Sequence, residues 1–312
     1  MTAERREHGG GLDAARALWG GGREDWIDLS TGINPEPYPL PPLPPEAWTA
    51  LPDRDAEAWL IAAARDAWAV PDGAAVLPAP GASALIARIP MLAPPGRVRI
   101  GALTYNEHEA AFRAAGWTVR SEGDAEAAVV VHPNNPDGRL HDLPGASLAV
   151  IDESFCDTCP QVSHVAHAIR PGVIVLKSFG KFWGLAGLRL GFAIGRPETL
   201  APLRGALGPW PVSGPALRIG AVALEDAAWA GRTRARLAAD VQRLDALAAP
   251  HAALIGGTTL FRLYDVEGGV QALRDRLAEA RIWSRGFAAD PRLIRLGLPP
   301  AEGWSRLEAA LA

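Results

Sequence analysis

The sequence predicts an α/β protein with a mostly parallel sheet flanked by helices and a smaller α+β domain. Between residues 76 and 194, short apolar runs typical of buried strands alternate with segments of helical spacing. Continuous apolar strands separated by helices indicate a parallel sheet covered on both faces. After Pro209 the pattern changes to a long helix rich in Ala, Arg and Leu, followed by mixed strands and helices.

Each element of this fold is predicted from its own segment. The predicted strands of the sheet are residues 76–77, 97–102, 118–120, 127–131, 147–151, 173–176 and 191–194, and its helices are 55–68, 82–92, 107–115 and 163–169. The C-terminal part is predicted to hold helices 215–249 (with a candidate break at 229–231), 270–280 and 302–311, and strands 258–263 and 292–296. A short helix at 12–19 precedes a proline-rich, extended run over 35–45. We therefore predict an N-terminal arm at 1–46 that joins the small domain, a large domain at 47–208 and a small domain at 209–312.

The composition is that of a globular enzyme rather than of a nucleic-acid-binding or membrane protein. The 312 residues carry a net charge of −4, 21% of them are charged, and no basic run occurs. Such a run is typical of proteins that bind nucleic acid or anionic membranes, and no apolar stretch approaches the ~20 residues that span a bilayer. Residues 1–8 also lack the apolar core of a signal peptide. We expect a cytoplasmic protein without nucleic-acid or membrane partners.

Lysine is scarce in this chain, and the two lysines stand close together. Lys177 and Lys181 are the only ones, so 29 of the 31 basic residues are arginine. Arginine can replace lysine in solvation and surface pairing but cannot form an imine with a carbonyl, so a retained lysine is a candidate Schiff-base residue. Chance retention is the alternative. Spacing favours Lys181, because Ser178 and Arg189 flank it with a hydroxyl and a guanidinium suited to a phosphate, and Lys177 is predicted to be a charge at a strand end.

Three further groups follow predicted strands and suit a cationic ring that bears a phosphate. Ala82 and Ser83 open a helix, where backbone N–H groups bind anions. Asp152 ends an apolar run and would be stabilised by a cationic ring nitrogen, and Asn135 could donate to a phenolate oxygen. Each has an ordinary alternative: a helix N-cap for Ser83, a cap or salt bridge for Asp152, and a turn for Asn135.

The C-x-x-C formed by Cys156 and Cys159 raises the possibility of a metal or redox site. A metal site would need two more ligands, and His164 and His167 are the local candidates. The pair follows a strand and lacks the helix N-terminus that activates redox cysteines. We expect two reduced cysteines in a loop and no metal.

No single one of these motifs indicates a protein family, but their order along the chain resembles that of a known family. The chain has Gly-Ala-Ser at 81–83, Asn-Asn-Pro-Asp-Gly at 134–138, Asp-Glu-Ser-Phe at 152–155 and Ser-Phe-Gly-Lys at 178–181, with arginine at 189. Together with Tyr105, this set resembles the fold-type-I pyridoxal-phosphate enzymes, the aspartate aminotransferase superfamily. The resemblance implies that fold, and pyridoxal 5'-phosphate as the cofactor.

The same resemblance implies a role for each matching residue. Lys181 would bind the cofactor covalently, and Asp152 would pair with its ring nitrogen. Tyr105 would stack on the ring and complete the catalytic set with Lys181 and Asp152, while Asn135 would contact the ring hydroxyl. The cofactor phosphate would be held by Ala82, Ser83, Ser178 and Arg189.

Within the superfamily the chain looks like a branch that decarboxylates L-threonine O-3-phosphate to (R)-1-amino-2-propanol O-2-phosphate in cobalamin biosynthesis. Segments 8–15, 28–35, 209–213 and 284–287 carry this similarity, as does Phe155, where many relatives have tyrosine. It implies a homodimer, a phosphorylated amino-acid substrate and a carboxylate-binding Arg295. Candidates for binding the substrate phosphate or carboxylate are His8, Thr31, Gly32 and Asn34. A solvated histidine and a turn residue are the ordinary alternatives for His8 and Asn34.

Two alternatives to the decarboxylase stay open. A histidinol-phosphate-type aminotransferase shares every cofactor residue and also binds an amino phosphate, but it must then accept a keto acid. A non-catalytic subunit of a cobalamin-pathway complex could use the same fold, although the intact cofactor set argues against it.

Overall fold

The chain is divided into two compact units. The computed structural model describes residues 8–312; the large unit comprises residues 37–135 and 139–232, and the small unit comprises 8–36, 136–138 and 233–312. The sequence places these boundaries near 46 and 208 instead. The second boundary lies later in the chain because helix Gly214–Glu225 packs against helix Arg54–Ala67 of the large unit.

The strands are numbered along the described chain. They are β1 Ile27–Asp28, β2 Ala75–Ala79, β3 Arg97–Ile100, β4 Thr118–Arg120, β5 Ala127–Val131, β6 Leu148–Asp152, β7 Val173–Ser178, β8 Gly191–Gly195, β9 Ala253–Thr258, β10 Phe261–Asp265, β11 Ile282–Trp283, β12 Arg285–Phe287 and β13 Asp290–Gly297. All seven strands predicted for the large sheet are present, so the alternation of apolar runs located them correctly.

The α-helices are numbered in the same way. They are α1 Leu12–Trp19, α2 Glu46–Thr49, α3 Arg54–Ala67, α4 Ala82–Ile86, α5 Asn106–Ala114, α6 Pro197–Leu207, α7 Gly214–Glu225, α8 Ala227–Ala248, α9 Gln271–Glu279 and α10 Trp304–Leu311. Side chains cap several of these helices: Asp53 accepts the N–H of Ala56 at 2.7 Å at the start of α3, and Ser213 accepts the N–H of Ala216 at 3.4 Å at the start of α7.

The large unit is built on a seven-stranded sheet with the order β2-β8-β7-β6-β5-β3-β4. Strands β7, β6, β5, β3 and β4 pair in parallel, whereas β8 is antiparallel to both β2 and β7. Two reversals cancel, so β2 points in the same direction as β7. The predicted α/β class, a mostly parallel sheet flanked by helices, is therefore confirmed.

The core of the large unit contains apolar side chains of the sheet and of the helices that cover it. Buried residues of β2, β3, β5, β6, β7 and β8 form one cluster with Leu85 and Ile86 of α4, Phe112 of α5 and Leu203 of α6. Burial of a side chain of this size contributes about 1.5–3 kcal/mol. This packing holds the strand ends in a fixed arrangement.

The small unit contains two sheets. A four-stranded antiparallel sheet has the order β12-β13-β10-β9, and β1 pairs in parallel with β11. Helix α1 packs on α9 through Leu12, Ala15 and Ala278. The α+β character predicted for the C-terminal part is present.

Two predicted helix boundaries were wrong, and one helix was not predicted. Segment 82–92 contains α4 followed by a 3₁₀ turn at Ile89–Leu92, because Pro90 lacks the N–H that an α-helix needs. The long helix breaks at Asp226 rather than at 229–231. The Asp226 carboxylate accepts the N–H of Trp229 at 2.8 Å and so starts a new helix. Helix α6, which begins at Pro197, was not predicted.

Two further segments differ from the sequence prediction. Segment 163–169 forms a 3₁₀ turn over Val165–Ile169 rather than an α-helix. The strand predicted at 258–263 is interrupted: residues 261–263 belong to β10, but residues 259–260 form the turn between β9 and β10, where the Thr258 hydroxyl accepts the N–H of Leu260 at 3.1 Å. In the part of the chain that the structure describes, no helix has the length and apolarity needed to cross a membrane.

Candidate active site

The predicted cofactor residues line one cavity of the large unit, at the edge of the sheet where the parallel strands end. The cavity measures about 210 Å³. Strands β2, β3, β5, β6 and β7 run toward this edge, and reversed β8 begins there, which explains why Arg189 precedes its strand whereas the other residues follow theirs. All eight predicted cofactor residues line it: Ala82, Ser83, Tyr105, Asn135, Asp152, Ser178, Lys181 and Arg189.

The carboxylate of Asp152 lies at the end of β6 and is 2% exposed. Its Oδ2 is 2.8 Å from Nε2 of His108, and its Oδ1 accepts the hydroxyl of Ser154 at 2.5 Å and the N–H of Ser154 at 3.0 Å. Burial by itself raises the pKa of Asp152, but the hydrogen bond and charge of His108, together with Ser154, hold the pKa below its ordinary value. The carboxylate is therefore kept ionised in a buried position.

His108 was not identified from the sequence. It is 1% exposed and lies on α5, one helical turn after Tyr105, with the two rings edge-on at 6.0 Å. The spacing of three residues from Tyr105 was the available signal, because residues three apart share one face of a helix. Ser154, two residues after Asp152, was also missed, because its two hydrogen bonds to Asp152 form only in the folded turn.

The opposite end of the cavity carries donors. Arg189 has a positive φ of 53° and donates from Nη1 to the carbonyl of Ala186 at 3.1 Å. A Cβ at Gly81 would lie 2.6 Å from Nη2 of Arg189, so only glycine lets this guanidinium approach the start of α4. With the hydroxyls of Ser83 and Ser178, the arginine makes this end suitable for an anion.

Lys181 lines the same cavity and follows β7, the strand that lies between β6, which ends at Asp152, and β8, which Arg189 precedes. Its Nζ is 5.4 Å from the centre of the Phe155 ring, which is buried and also lines the cavity. A phenyl ring carries no hydroxyl, so Phe155 cannot donate a hydrogen bond from its side chain to a group in the cavity.

The second lysine stands near the end of β7, where the sequence predicts a charge, and it is buried. Lys177 is 1% exposed, and its Nζ lies 2.8 Å from Glu153 Oε2 and 3.4 Å from Asp157 Oδ1. Burial disfavours the ammonium, but Glu153 and Asp157 outweigh that cost and raise the pKa of Lys177 above its ordinary value. Asp157 also accepts the indole N–H groups of Trp68 and Trp183, both at 3.0 Å.

The small unit has its own cavity of about 850 Å³. Arg274 and Arg285 line it, with Trp283 and Phe287 beside their guanidinium groups at 5.9 and 5.1 Å from the ring centres. Two guanidinium groups beside apolar rings favour an anion with an apolar part. Neither arginine was singled out from the sequence; Arg285 lies in the segment 284–287 that carried the resemblance.

Arg295 is also in the small unit, on β13. It is 3% exposed, donates from Nη2 to the carbonyl of Ser30 at 2.5 Å and lies 5.1 Å from the Phe261 ring centre. Burial, with the charge of Arg285, lowers the pKa of Arg295 to about 9, which Asp28 partly opposes. A buried guanidinium of this kind gains free energy when an anion reaches it.

Of the predicted substrate-binding residues in the N-terminal segment, only His8 lines the cavity of the small unit. His8 lines the cavity of the small unit together with Ser30, and the Ser30 hydroxyl accepts the N–H of Gly10 at 2.7 Å. The Asn34 amide oxygen accepts the N–H of Glu36 at 3.1 Å and Nη2 of Arg236 at 2.5 Å, which fits its turn interpretation. Three candidates are not among the residues that line this cavity: Thr31, Gly32 and Asn34.

The C-x-x-C pair lies in the large unit as two free cysteines in a 3₁₀ turn. His164, a candidate metal ligand, instead places its Nε2 2.8 Å from the carbonyl of His141. Within residues 8–312, no group of three His, Cys, Asp or Glu side chains is arranged to hold a metal ion.

Fold and cavity together define a class of protein. A mixed seven-stranded sheet with a lysine, an ionised carboxylate and an anion-binding end at one edge is the arrangement of the class I and II aminotransferases. The family model for aminotransferase class I and II matches residues 121–301, and the chain belongs to this family.

Individual relatives and solved structures give a more specific comparison than the family model. The chain is 43% identical to a threonine-phosphate decarboxylase of Sinorhizobium sp and 42% identical to one of Pseudomonas aeruginosa, in both cases over 98% of this chain and 97% of the relative. A histidinol-phosphate aminotransferase from Sinorhizobium meliloti, solved in complex with pyridoxal-5'-phosphate, superposes with a TM-score of 0.79 at 20% identity, covering 99% of this chain and 94% of that one. This structural likeness shows the shared fold.

Proposed function

We propose that this protein uses pyridoxal 5'-phosphate to decarboxylate L-threonine O-3-phosphate to (R)-1-amino-2-propanol O-2-phosphate, a step of cobalamin biosynthesis. The observation that carries the proposal is the cavity of the large unit, which is lined by Lys181, the ionised Asp152 and the cationic Arg189. The choice of reaction is supported by the two threonine-phosphate decarboxylases that match nearly the whole chain.

The residues of this cavity fit the cofactor in their chemistry. A buried carboxylate with a lowered pKa suits a cationic ring nitrogen, and a guanidinium with two hydroxyls suits a phosphate. Lys181 lines the same cavity, where an aldehyde on the ring could react with its amine. Phe155 leaves the ring oxygen with one donor fewer than in relatives that have tyrosine, so Asn135 becomes the proposed donor.

The chain's residues divide the work of the reaction. Bound pyridoxal phosphate would supply an acceptor for the electron pair released as the carboxylate leaves as carbon dioxide. Asp152, held by His108 and Ser154, would keep a proton on the ring nitrogen. Lys181 Nζ would deliver the proton that replaces the carboxylate on the substrate carbon. Tyr105 would lie against the ring and limit access of water.

The small unit supplies the proposed substrate-binding groups. Arg295 is proposed to bind the carboxylate, because its buried guanidinium is well suited to two parallel hydrogen bonds. Arg285 and His8 are proposed to bind the phosphate. Binding energy from the phosphate can position the reacting end, so L-threonine without phosphate should be a poor substrate.

Product analysis tests the proposed reaction. The purified protein, loaded with pyridoxal phosphate, is incubated with L-threonine O-3-phosphate, and the amine product is identified. We expect carbon dioxide and aminopropanol phosphate without any added keto acid, with L-threonine as the matched poor substrate. Dependence on a keto acid, with glutamate or another amino acid formed, would instead identify an aminotransferase. Binding of substrate without any product would point to the non-catalytic subunit.

The role of Arg295 has a separate test. Arg295→Gln should raise KM by about 10–100-fold, because a hydrogen bond to a charged group contributes ~1.5–3 kcal/mol. Arg292→Gln on the same strand is the control, because Arg292 is exposed and pairs with Asp265 at 2.5 Å. Unchanged KM in a folded Arg295→Gln protein, with Arg295→Lys behaving likewise, would contradict the assignment.

A homodimer is proposed for the assembly. Trp48, Leu51 and Trp210 of the large unit are 70%, 67% and 57% exposed, and they are the proposed contacts with a second copy of the chain. Sedimentation equilibrium should give twice the chain mass, and Trp48→Asp should shift the equilibrium toward the monomer. A monomeric wild-type protein at micromolar concentration would refute the dimer.

A further inference from the structure

Cys156 and Cys159, the two cysteines of the chain, stand at the two ends of one turn. The N–H of Cys159 donates to the carbonyl of Cys156 at 2.9 Å, which closes a 3₁₀ turn. A turn of this kind brings the first and fourth α-carbons within ~7 Å, a separation that a disulfide can bridge. The Cys156 thiol donates in turn to the carbonyl of Cys159 at 3.7 Å. The reduced pair therefore requires only a local rearrangement to join its sulfurs.

The two thiols differ in exposure and in acidity. Cys156 is fully buried, whereas Cys159 is partly exposed. The adjacent Cys156 side chain lowers the pKa of Cys159 to about 7, and the Thr158 hydroxyl, 3.6 Å from Cys159 Sγ, and the nearby Lys177 act in the same direction. The adjacent Cys159 side chain, followed by burial, raises the pKa of Cys156 well above its ordinary value. The more reachable sulfur is thus also the better thiolate.

We propose that Cys156 and Cys159 form a thiol–disulfide exchange site in which Cys159 attacks a low-molecular-weight disulfide and Cys156 resolves the product. The Cys159 thiolate bonds to one sulfur of the reagent and releases the other as a thiolate. Cys156 then loses its proton to water and attacks the Cys159 sulfur, which closes the protein disulfide and releases the second reagent thiol. The protein loses two electrons and two protons, and one molecule of reagent disulfide becomes two thiols.

The lowered pKa of Cys159 favours its attack on a disulfide moderately rather than strongly. The lowered pKa gives Cys159 a larger thiolate fraction at pH 7 than the ~3% of a thiol with a pKa of ~8.5. Nucleophilicity falls as the pKa falls, with a Brønsted slope of ~0.4–0.5, and this offsets much of the gain. Discrimination between the two cysteines rests mainly on the burial of Cys156.

The site borders the cofactor cavity through the residues beside it. Phe155 directly precedes Cys156 and lines that cavity. Asp157, between the two cysteines, accepts hydrogen bonds from Trp68 and Trp183. Closing the disulfide must replace the hydrogen bond from the Cys156 thiol and shift this turn, so tryptophan fluorescence should report on it.

Thiol counting on the intact, cofactor-loaded chain tests the proposal. The protein is incubated with glutathione disulfide at pH 7, quenched with acid, and analysed by thiol titration and mass spectrometry. We expect both thiols to disappear, the mass to fall by two hydrogens, and a reductant to restore both. The chain has no other cysteine, so the count is unambiguous.

Two matched variants assign the roles. Cys156→Ser should stop with one glutathione attached to Cys159, whereas Cys159→Ser should stay unmodified until it is denatured. The proposal is overturned if the folded wild-type protein keeps both thiols and reacts only in denaturant. It is also overturned if Cys159→Ser reacts as fast as Cys156→Ser, or if one zinc ion per chain binds and protects both thiols.

Discussion

The two lysines of this chain lie four residues apart and have opposite surroundings. Lys181 lines a cavity together with a carboxylate and a guanidinium, beside the ring of Phe155. Lys177 lies on β7 and is enclosed by Glu153 and Asp157. Lys181 lies beyond the end of β7, in the turn that follows it, and within β7 successive side chains point to opposite faces of the sheet. Ser178 therefore lines the cavity, while its neighbour Lys177 belongs to the buried ionic cluster.

The two carboxylates at the end of β6 are likewise divided between the cavity and the buried ionic cluster. Asp152 lines the cavity and pairs with His108, whereas Glu153, the next residue, pairs with Lys177 and accepts the hydroxyl of Ser163 at 2.7 Å. One side of the strand ends thus carries the proposed chemistry, and the other carries ion pairs that fix the same two strand ends. The scarcity of lysine acquires two explanations: one position needs an amine that reacts, and the other holds a compact buried cation between two carboxylates.

The largest expected effect is on the reactive side. Lys181→Ala should lower decarboxylation by ~10³-fold or more, because both the covalent cofactor linkage and the proton donor are lost. The visible absorption of the bound cofactor should shift at the same time, while thermal stability changes little. Lys181→Arg is the matched control, since it keeps the charge and should be equally inactive. Activity retained in either variant would remove the contrast between the two lysines.

The next effect belongs to the buried side. Lys177→Met should destabilise the fold by about 3–5 kcal/mol, because removing one partner leaves Glu153 and Asp157 as buried charges. Denaturant unfolding measures the loss. Lys177→Arg, which keeps the charge, should lose less. If Lys177→Met instead retained its stability and lost the cofactor absorption, the division into a chemical side and a structural side would be wrong.

A smaller effect is expected at the contact between His108 and Asp152. His108→Asn should cost about 1–3 kcal/mol, because a buried acceptor loses its partner. The pKa of Asp152 is lowered in the folded chain, so its ionised form stabilises the protein above the ordinary value of ~3.9, and this contribution is lost as the pH falls through the folded pKa. Without His108 the folded pKa rises, and acid unfolding should begin at higher pH. Unfolding curves recorded between pH 2 and 6 for His108→Asn and wild type provide the comparison; superimposable curves would rule out the contact.

The strand pattern and the cofactor motifs were readable from local sequence because each depends on neighbours in the chain. Apolar runs located the seven strands, and the residues at their ends were brought into one cavity by the parallel pairing that such runs favour. Helix ends were less readable from apolar spacing, because Pro90 interrupts a helix through its missing N–H and the Asp226 carboxylate starts a new one through a hydrogen bond.

What the sequence by itself determined is the type of fold and the order of the cofactor residues, because periodicity and motif spacing are properties of the chain alone. The tertiary structure decided which side of each strand end a charged residue faces and which partner it meets there. Lys177 was predicted only as a charge at a strand end and is enclosed by two carboxylates, and His108 was not predicted and holds Asp152. Both outcomes depend on contacts between residues at least 20 positions apart, such as His108 with Asp152 and Lys177 with Asp157. Burial and the pKa shifts that follow from it exist only once such contacts have formed.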